Sequence, residues 1–228
     1  MNKTVEPKES KKIINITIDE AIKLLPEVSK SKFVGSVDID IVLNLKEKQK
    51  KEVVRGSVTL PHSLGDEKKV IVLCEEKDEK SALEAGAIKA GLDSVVEELM
   101  NGFGDFDIVI ATPSIMPKIV RLGKVLGPKG LMPNPKNGTI TTEVGKTVES
   151  FRAGKMNFKS AQDQATIRLK IAKVDMKADF IKDNLIAVLK AVQSETKKLT
   201  GTPFKKVTLS PTMGSGLRLD ISDIMKNV

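Results

Sequence analysis

Hydrophobic and polar residues alternate along Val37, Ile39, Ile41, Leu43 and Leu45, with Asp38, Asp40 and Asn44 facing the other way. A period of two predicts an antiparallel strand with one buried face. Upstream, Thr17-Ile18-Asp19-Glu20 has capping-box spacing and predicts a helix over 17–25 that Pro26 ends or kinks. Downstream, RGSVTLP from Arg55 to Pro61 reads as the strand's partner across the charged turn KEKQKKE.

After Gly65 the alternation gives way to unbroken apolar runs separated by helical stretches, as in a parallel sheet covered on both faces. Val70 to Leu73 is one such strand, followed by a helix through Ala82 and Ala85 and another from Ser94 to Met100. Phe106 to Ala111 is the clearest buried strand, and a helix from about Ser114 to Leu126 follows it. These elements predict a small Rossmann-like α/β unit.

Past Gly154 the alternation returns. Met156 and Phe158, then Ile167, Leu169 and Ile171, predict a hairpin turning near Ala161-Gln162-Asp163-Gln164. A helix from about Ala178 to Leu199 would bury Ile181, Leu185, Val188, Leu189 and Val192, with Gly201 as its stop signal. Strands at Phe204–Leu209 and Leu217–Ile221 complete the pattern. The fold class expected is α/β with α+β in two domains. Residues 1–64 and 155–228 form an antiparallel α+β domain from both termini, and residues 65–154 form an inserted Rossmann-like α/β domain.

The 228 residues are 40% hydrophobic and 30% charged, a soluble globular composition. Apolar runs such as Ile108-Val109-Ile110-Ala111 fall far short of the roughly 20 residues of a membrane span, so no membrane partner is expected. The start, MNKTVEPKESKK, is charged with no apolar core after it, so no secretory signal is expected. The single cysteine, Cys74, lies in a strand-like run and reads as a buried thiol, consistent with a reducing cytoplasm.

Net charge is +8, and its division along the chain matters more than its total. Residues 65–154 hold 12 basic and 14 acidic side chains, whereas the two ends together hold 26 and 16. The terminal segments therefore carry the whole positive excess. Tyr and Trp are absent and aromatics are 3%, which disfavours a binder that stacks successive single-stranded bases on rings. Phosphate and sugar recognition on folded RNA fits better.

Enzymatic chemistry finds little to work with. His62 is the only histidine, has no nucleophile motif beside it, and reads as a structural hydrogen-bonding residue. One cysteine and one histidine cannot make a cysteine–histidine metal site, and no cofactor is expected. Asp38/Asp40 and Asp105/Asp107 read as solvated faces or turns. Gly145-Lys146-Thr147 lacks the upstream glycine of a phosphate loop, since Ile140 stands there, and GFGDFD precedes a strand instead of following one. The rival to an RNA binder is a nucleotide bound in the α/β unit by fold analogy alone.

Two loops carry candidate binding chemistry. Arg121 to Thr139, RLGKVLGPKGLMPNPKNGT, combines glycines and prolines with Lys124, Lys129 and Lys136 and has no acidic residue. It reads as successive turns with little regular structure and suits phosphate, but it belongs to the segment without positive excess. Ser210 to Gly216 offers the hydroxyls of Thr212 and Ser215, glycines that permit close approach, and an apolar Met213 at a turn tip, which suits a sugar face or base edge.

Taken in order, KF at Lys32, RGSVTLPHSLG at Arg55 to Gly65, IATP, LGPKGLMPNPKNGT, RAGKMNF at Arg152 to Phe158, and TMG at Thr212 to Gly214 resemble the L-one family of ribosomal proteins in its bacterial form. The resemblance spans nearly the whole chain. It implies a two-domain stalk protein that binds large-subunit ribosomal RNA, moves as deacylated transfer RNA leaves the exit site, represses its own messenger RNA through a leader mimic, and is a monomer when free of RNA. Carried over by motif, Lys32, Phe33, Ser36, Thr212, Met213 and Gly214 form the principal RNA surface with Ser215 beside them. Lys173 is a further member, and Lys124, Lys129 and Lys136 make a secondary contact. The chain departs from the family at Val34-Gly35, where acidic residues are usual, and at Ser160 to Gln164, which lacks the Asp-Lys-x-Gly turn; Lys159 and Arg168 are the cations near it.

Overall fold

The computed structural model describes residues 15–29, 31, 33–45, 53–65, 68–100, 104–161, 165–196 and 203–227, except the side chains of Asp93, Ser94, Lys129, Lys136 and Asn227. Helix α1 (Ile18–Val28) opens with the expected capping box between Thr17 and Glu20. Pro26 sits in its last turn without ending it. Strand β1 (Ser36–Leu43) buries Val37, Ile39, Ile41 and Leu43 as the alternation requires. Strand β2 (Arg55–Thr59) follows.

The next stretch comprises β3 (Val70–Leu73), α2 (Glu76–Glu84), β4 (Lys89–Gly91), α3 (Asp93–Met100) and β5 (Ile108–Ala111). The single helix expected over 114–126 is broken. A 3-10 turn (Pro113–Ile115), α4 (Met116–Ile119), a second 3-10 turn (Val120–Leu122) and α5 (Gly123–Lys129) replace it. Pro117 and Gly123 weaken a continuous helix, yet Ile119, Leu122 and Leu126 are all fully buried at helical spacing. That stripe also corrects the expectation for Arg121–Thr139: Gly127-Pro128-Lys129 is helical, and Gly130, at φ +71°, ends the helix. Helix α6 (Val144–Arg152) was not anticipated; it buries Val144, Val148 and Phe151.

The chain then forms β6 (Lys155–Lys159), β7 (Thr166–Lys173), α7 (Ala178–Thr196), β8 (Phe204–Pro211), β9 (Leu217–Arg218) and α8 (Ile221–Asn227). Ile221, expected in a strand, instead starts α8. The Asp220 carboxylate accepts from the Ser222 amide at 3.1 Å, and Ile224 is fully buried. Gly201, the expected stop signal, lies outside the described residues.

Both expected hairpins are replaced by longer-range pairings. β2 pairs with β6, and β1 lies between β7 and β8 in an antiparallel sheet of order β7-β1-β8-β9. The charged run after β1 carries no tight-turn signal, so nothing local enforces a β1–β2 hairpin. What selects β6 for β2 is fit: Gly56 faces Phe158, and a Cβ at Gly56 would come within 2.6 Å of that ring. β6 and β7 accordingly enter different sheets. The third sheet, β4-β3-β5, is parallel, as expected of an α/β unit.

The apolar cores follow this division. One large cluster draws on residues up to Leu64 and from Met156 onward, uniting α1, α7 and α8 with the antiparallel sheet. Two smaller clusters cover the opposite faces of the parallel sheet, one with α3, α4 and α5, the other with α2 and α6.

Candidate nucleic-acid interface

The site grows from three strand ends at one end of the antiparallel sheet. Ser36 opens β1, Lys173 closes β7 opposite it, and β8 ends at Pro211 opposite Val37. Ser31 and residues 33–35 are thereby brought beside the turn 211–214. The Thr212 hydroxyl accepts from the Ser36 amide at 2.9 Å and donates to the Ser36 carbonyl at 3.1 Å. The Thr212 amide donates to that same carbonyl at 2.9 Å.

This changes the reading of Thr212. Its one donor and one of its two acceptor positions are occupied within the chain, so the hydroxyl positions the turn more than it meets a partner. Gly35 fits closely beneath it: a Cβ there would lie 3.2 Å from Thr212 Cβ. Ser31 Oγ donates to the Phe33 carbonyl at 3.0 Å, holding the other side of the site.

Met213 is the tip of the turn that the Gly214 amide closes onto Pro211 at 3.0 Å. It adopts φ +63° and is 76% exposed. A non-glycine residue held left-handed with its apolar side chain in water carries a cost of about 1–2 kcal/mol. Gly214 is obligatory, since a Cβ would meet Pro211 Cγ at 2.5 Å and the Val28 carbonyl at 2.8 Å. Phe33 and Val34 are 61% and 60% exposed on the neighbouring segment. Ser215 is exposed as well, and Lys32 lies outside the described residues.

One face of the sheet adjoining this cluster is open. Asp38 and Asp40 of β1 lie between Lys170 and Arg168 of β7 and Ser210 and Thr208 of β8, and Arg218 of β9 pairs with Thr208. Arg168 Nε is 3.0 Å from the Asp40 carboxylate. Burial and the nearby Asp40 charge push the Asp38 carboxyl up, and Lys170 opposes them. The face thus offers acceptors flanked by cations, where the sequence showed only a solvated strand face.

The cationic loop is elsewhere, on the parallel-sheet unit. The Thr139 hydroxyl ties it by accepting from the Asn134 amide at 2.8 Å and donating to the Asn134 carbonyl at 3.1 Å. Lys124 is exposed; Lys129 closes α5, and Lys136 falls in a 3-10 turn at Pro135–Asn137. A Cβ at Gly123 or Gly127 would meet nothing within 4 Å, so packing does not explain glycine there.

The crevice at the carboxyl ends of β3 and β4 is where an α/β unit would hold a nucleotide. Here it is lined by Glu75, Glu76 and Glu79 along with Lys77 and Lys118, a lining that repels phosphate. Cys74 beside it is buried, and burial pushes its thiol up. Among the described residues no three His, Cys, Asp or Glu side chains could hold a metal ion, and no helix is long and apolar enough to cross a membrane.

Asn184 is a residue the sequence reading missed, hidden in the apolar stripe of α7. It is fully buried and joins the His62 amide and carbonyl to the Ile171 carbonyl. A polar residue at a core position of an amphipathic helix was the available signal.

The chain is similar to known proteins over most of its length. Residues 25–215 match the family described as "Ribosomal protein L1p/L10e family". The large ribosomal subunit protein uL1 of Phocaeicola vulgatus is 40% identical over 215 residues, covering 92% of this chain and 91% of that protein. Those of Porphyromonas gingivalis and Lactobacillus johnsonii are 42% and 41% identical, over 92% and 90% of this chain and 91% and 89% of theirs. The match runs from the last turn of α1 through β8 to the Thr212 turn, taking in strands of all three sheets, and on it this chain belongs to the ribosomal protein L1p/L10e family.

Proposed function

We propose that the end of the antiparallel sheet around Phe33, Ser36, Lys173 and Thr212 to Ser215, with Lys32, is the principal ribosomal RNA surface of this chain. Membership of the family makes the chain a structural constituent of the ribosome that binds ribosomal RNA, and the family is not enzymatic. The observation that carries the site is Met213, left-handed and 76% exposed on a turn that Thr212 clamps to β1. An apolar tip kept in water at a conformational cost fits a sugar face or base edge, and the cations of the terminal segments fit the phosphates around it.

The chain functions in this reading as two units, residues 1–64 with 155–228 and residues 65–154. The separate apolar clusters support that division. The second unit extends outward as the mobile lateral stalk and follows deacylated transfer RNA out of the exit site. Its exposed Lys124, between Gly123 and Gly127 where packing does not require glycine, makes a secondary RNA contact together with Lys129 and Lys136. Repression of the chain's own messenger RNA would use the principal surface again, so leader and ribosomal RNA would compete for it. The working form is a cytoplasmic ribosome component that is monomeric when free of RNA.

A nuclease footprint of the full chain on large-subunit ribosomal RNA tests the reading. It should show one protected structured site, lost in Met213→Ala. If about five phosphates are neutralised, log K should fall with log salt at a slope of roughly −4 to −5. A slope near zero, or a footprint indifferent to Met213, would sink it.

A further inference from the structure

The only histidine of the chain is held by one helix from several sides. The His62 amide donates to Asn184 Oδ1 at 3.0 Å, and its carbonyl accepts from Asn184 Nδ2 at 3.0 Å. Its ring lies on Phe180, with centroids 4.0 Å apart and planes 18° from parallel. Its Nε2 is 3.2 Å from the Asp183 carboxylate. Phe180, Asp183 and Asn184 all belong to α7, whereas His62 belongs to the connector between β2 and β3. The return connector passes alongside: Gly154, at φ +118°, places its missing Cβ 3.7 Å from the Leu60 carbonyl.

We propose that His62 is a pH-sensitive latch that ties the first connector of the inserted unit to α7 and tightens when the imidazole takes up a proton. The inference rests on the two-unit reading above, because the connector is then one of the two strands of chain on which the inserted unit swings. Neutral imidazole shares a single hydrogen bond with Asp183. Imidazolium adds an ion pair to it and sets a cation against the face of Phe180. Among the described residues the other charges nearby are few. Asp179 lies one turn earlier on α7, and Lys177 places its ammonium 5.8 Å from the Phe180 ring. Lys182 is held by Asp19 at 2.6 Å, and Lys173 reaches from β7 to within 3.8 Å of where a Gly65 Cβ would stand. Asp183 is the charge in contact with the ring, so protonation favours the latched state.

The test uses the full chain. Imidazole resonances of the lone histidine follow its titration by NMR, and amide exchange of residues 62–65 reports the latch. After correction for intrinsic exchange rates, protection should be roughly two- to fivefold higher with His62 protonated than at pH 8, the scale of a partly exposed ion pair. His62→Gln keeps a donor for Asp183 but takes no charge, so its protection should not vary with pH. Asp183→Asn removes the charge that faces the ring and should abolish the pH dependence of protection. Flat protection in the native chain, or equal pH dependence in His62→Gln, overturns the latch. A dye pair on Glu84→Cys and Lys190→Cys in a Cys74→Ala background separates the two ideas. A broad distance distribution that narrows on protonation supports both. A broad one that ignores pH overturns the latch alone, and a single narrow distance at every pH overturns the two-unit reading and the hinge control with it.

Discussion

The Thr212 hydroxyl holds both backbone groups of Ser36, accepting from its amide at 2.9 Å and donating to its carbonyl at 3.1 Å. Two residues 176 positions apart are thereby fixed as if they were neighbours. The left-handed Met213 that follows owes its direction to this clamp.

Thr212→Val keeps the shape and removes both side-chain bonds. RNA affinity should fall about five- to thirtyfold, or roughly 1–2 kcal/mol, through loss of turn order. Thr212→Ser should restore most of it. The Ser36 amide of the free Val variant should exchange faster, and unchanged exchange there would reject the positioning role.

Gly214→Ala should destabilise the free protein, because the added methyl collides with Pro211 Cγ and the Val28 carbonyl, at 2.5 and 2.8 Å. Overpacking of this kind costs about 1–3 kcal/mol, or a fall in Tm of roughly 2–10 °C for a chain of this size. Thermal unfolding followed by circular dichroism measures it.

Met213→Gly should act in opposite directions on stability and binding. Glycine accepts φ +63° without penalty, so the free protein should gain up to about 1 kcal/mol. RNA binding should weaken at least tenfold, since the exposed apolar tip is gone. Titration calorimetry with a ribosomal RNA fragment, alongside a melting curve, checks both signs; equal or tighter binding would remove Met213 from the interface.

Asp38 gives a pH test. Burial and Asp40 raise its folded carboxyl above the unfolded value. Such a group binds its proton more readily in the folded state, so the stability it contributes is present at low pH and is lost as pH rises through the raised folded value. Asp38→Asn should therefore melt higher than the native chain at pH 7 and level with it near pH 3. The group is partly solvated, so the gain should be no more than about 2 °C. A gain that grows on acidification would contradict burial and the Asp40 charge as the cause.

The family and its motifs, the capping box of α1, the alternation of β1, the parallel strands and the basic excess of the termini were legible in the sequence. Each rests on periodicity, on local cap chemistry or on counted charge, which neighbours in the chain settle among themselves. Strand partners were not legible. β2 meets β6 because Phe158 fills the space over Gly56, a fit between residues far apart in the chain. Helix α5 forms across two glycines and a proline because Leu122 and Leu126 have a core to enter. Among the candidate site residues, the sequence named Thr212 and Met213 alongside Lys32, Phe33, Ser36, Lys173, Gly214 and Ser215. Only the tertiary structure decided that Thr212 holds and Met213 projects, since a hydroxyl's role depends on which backbone groups the folded chain brings within reach of it.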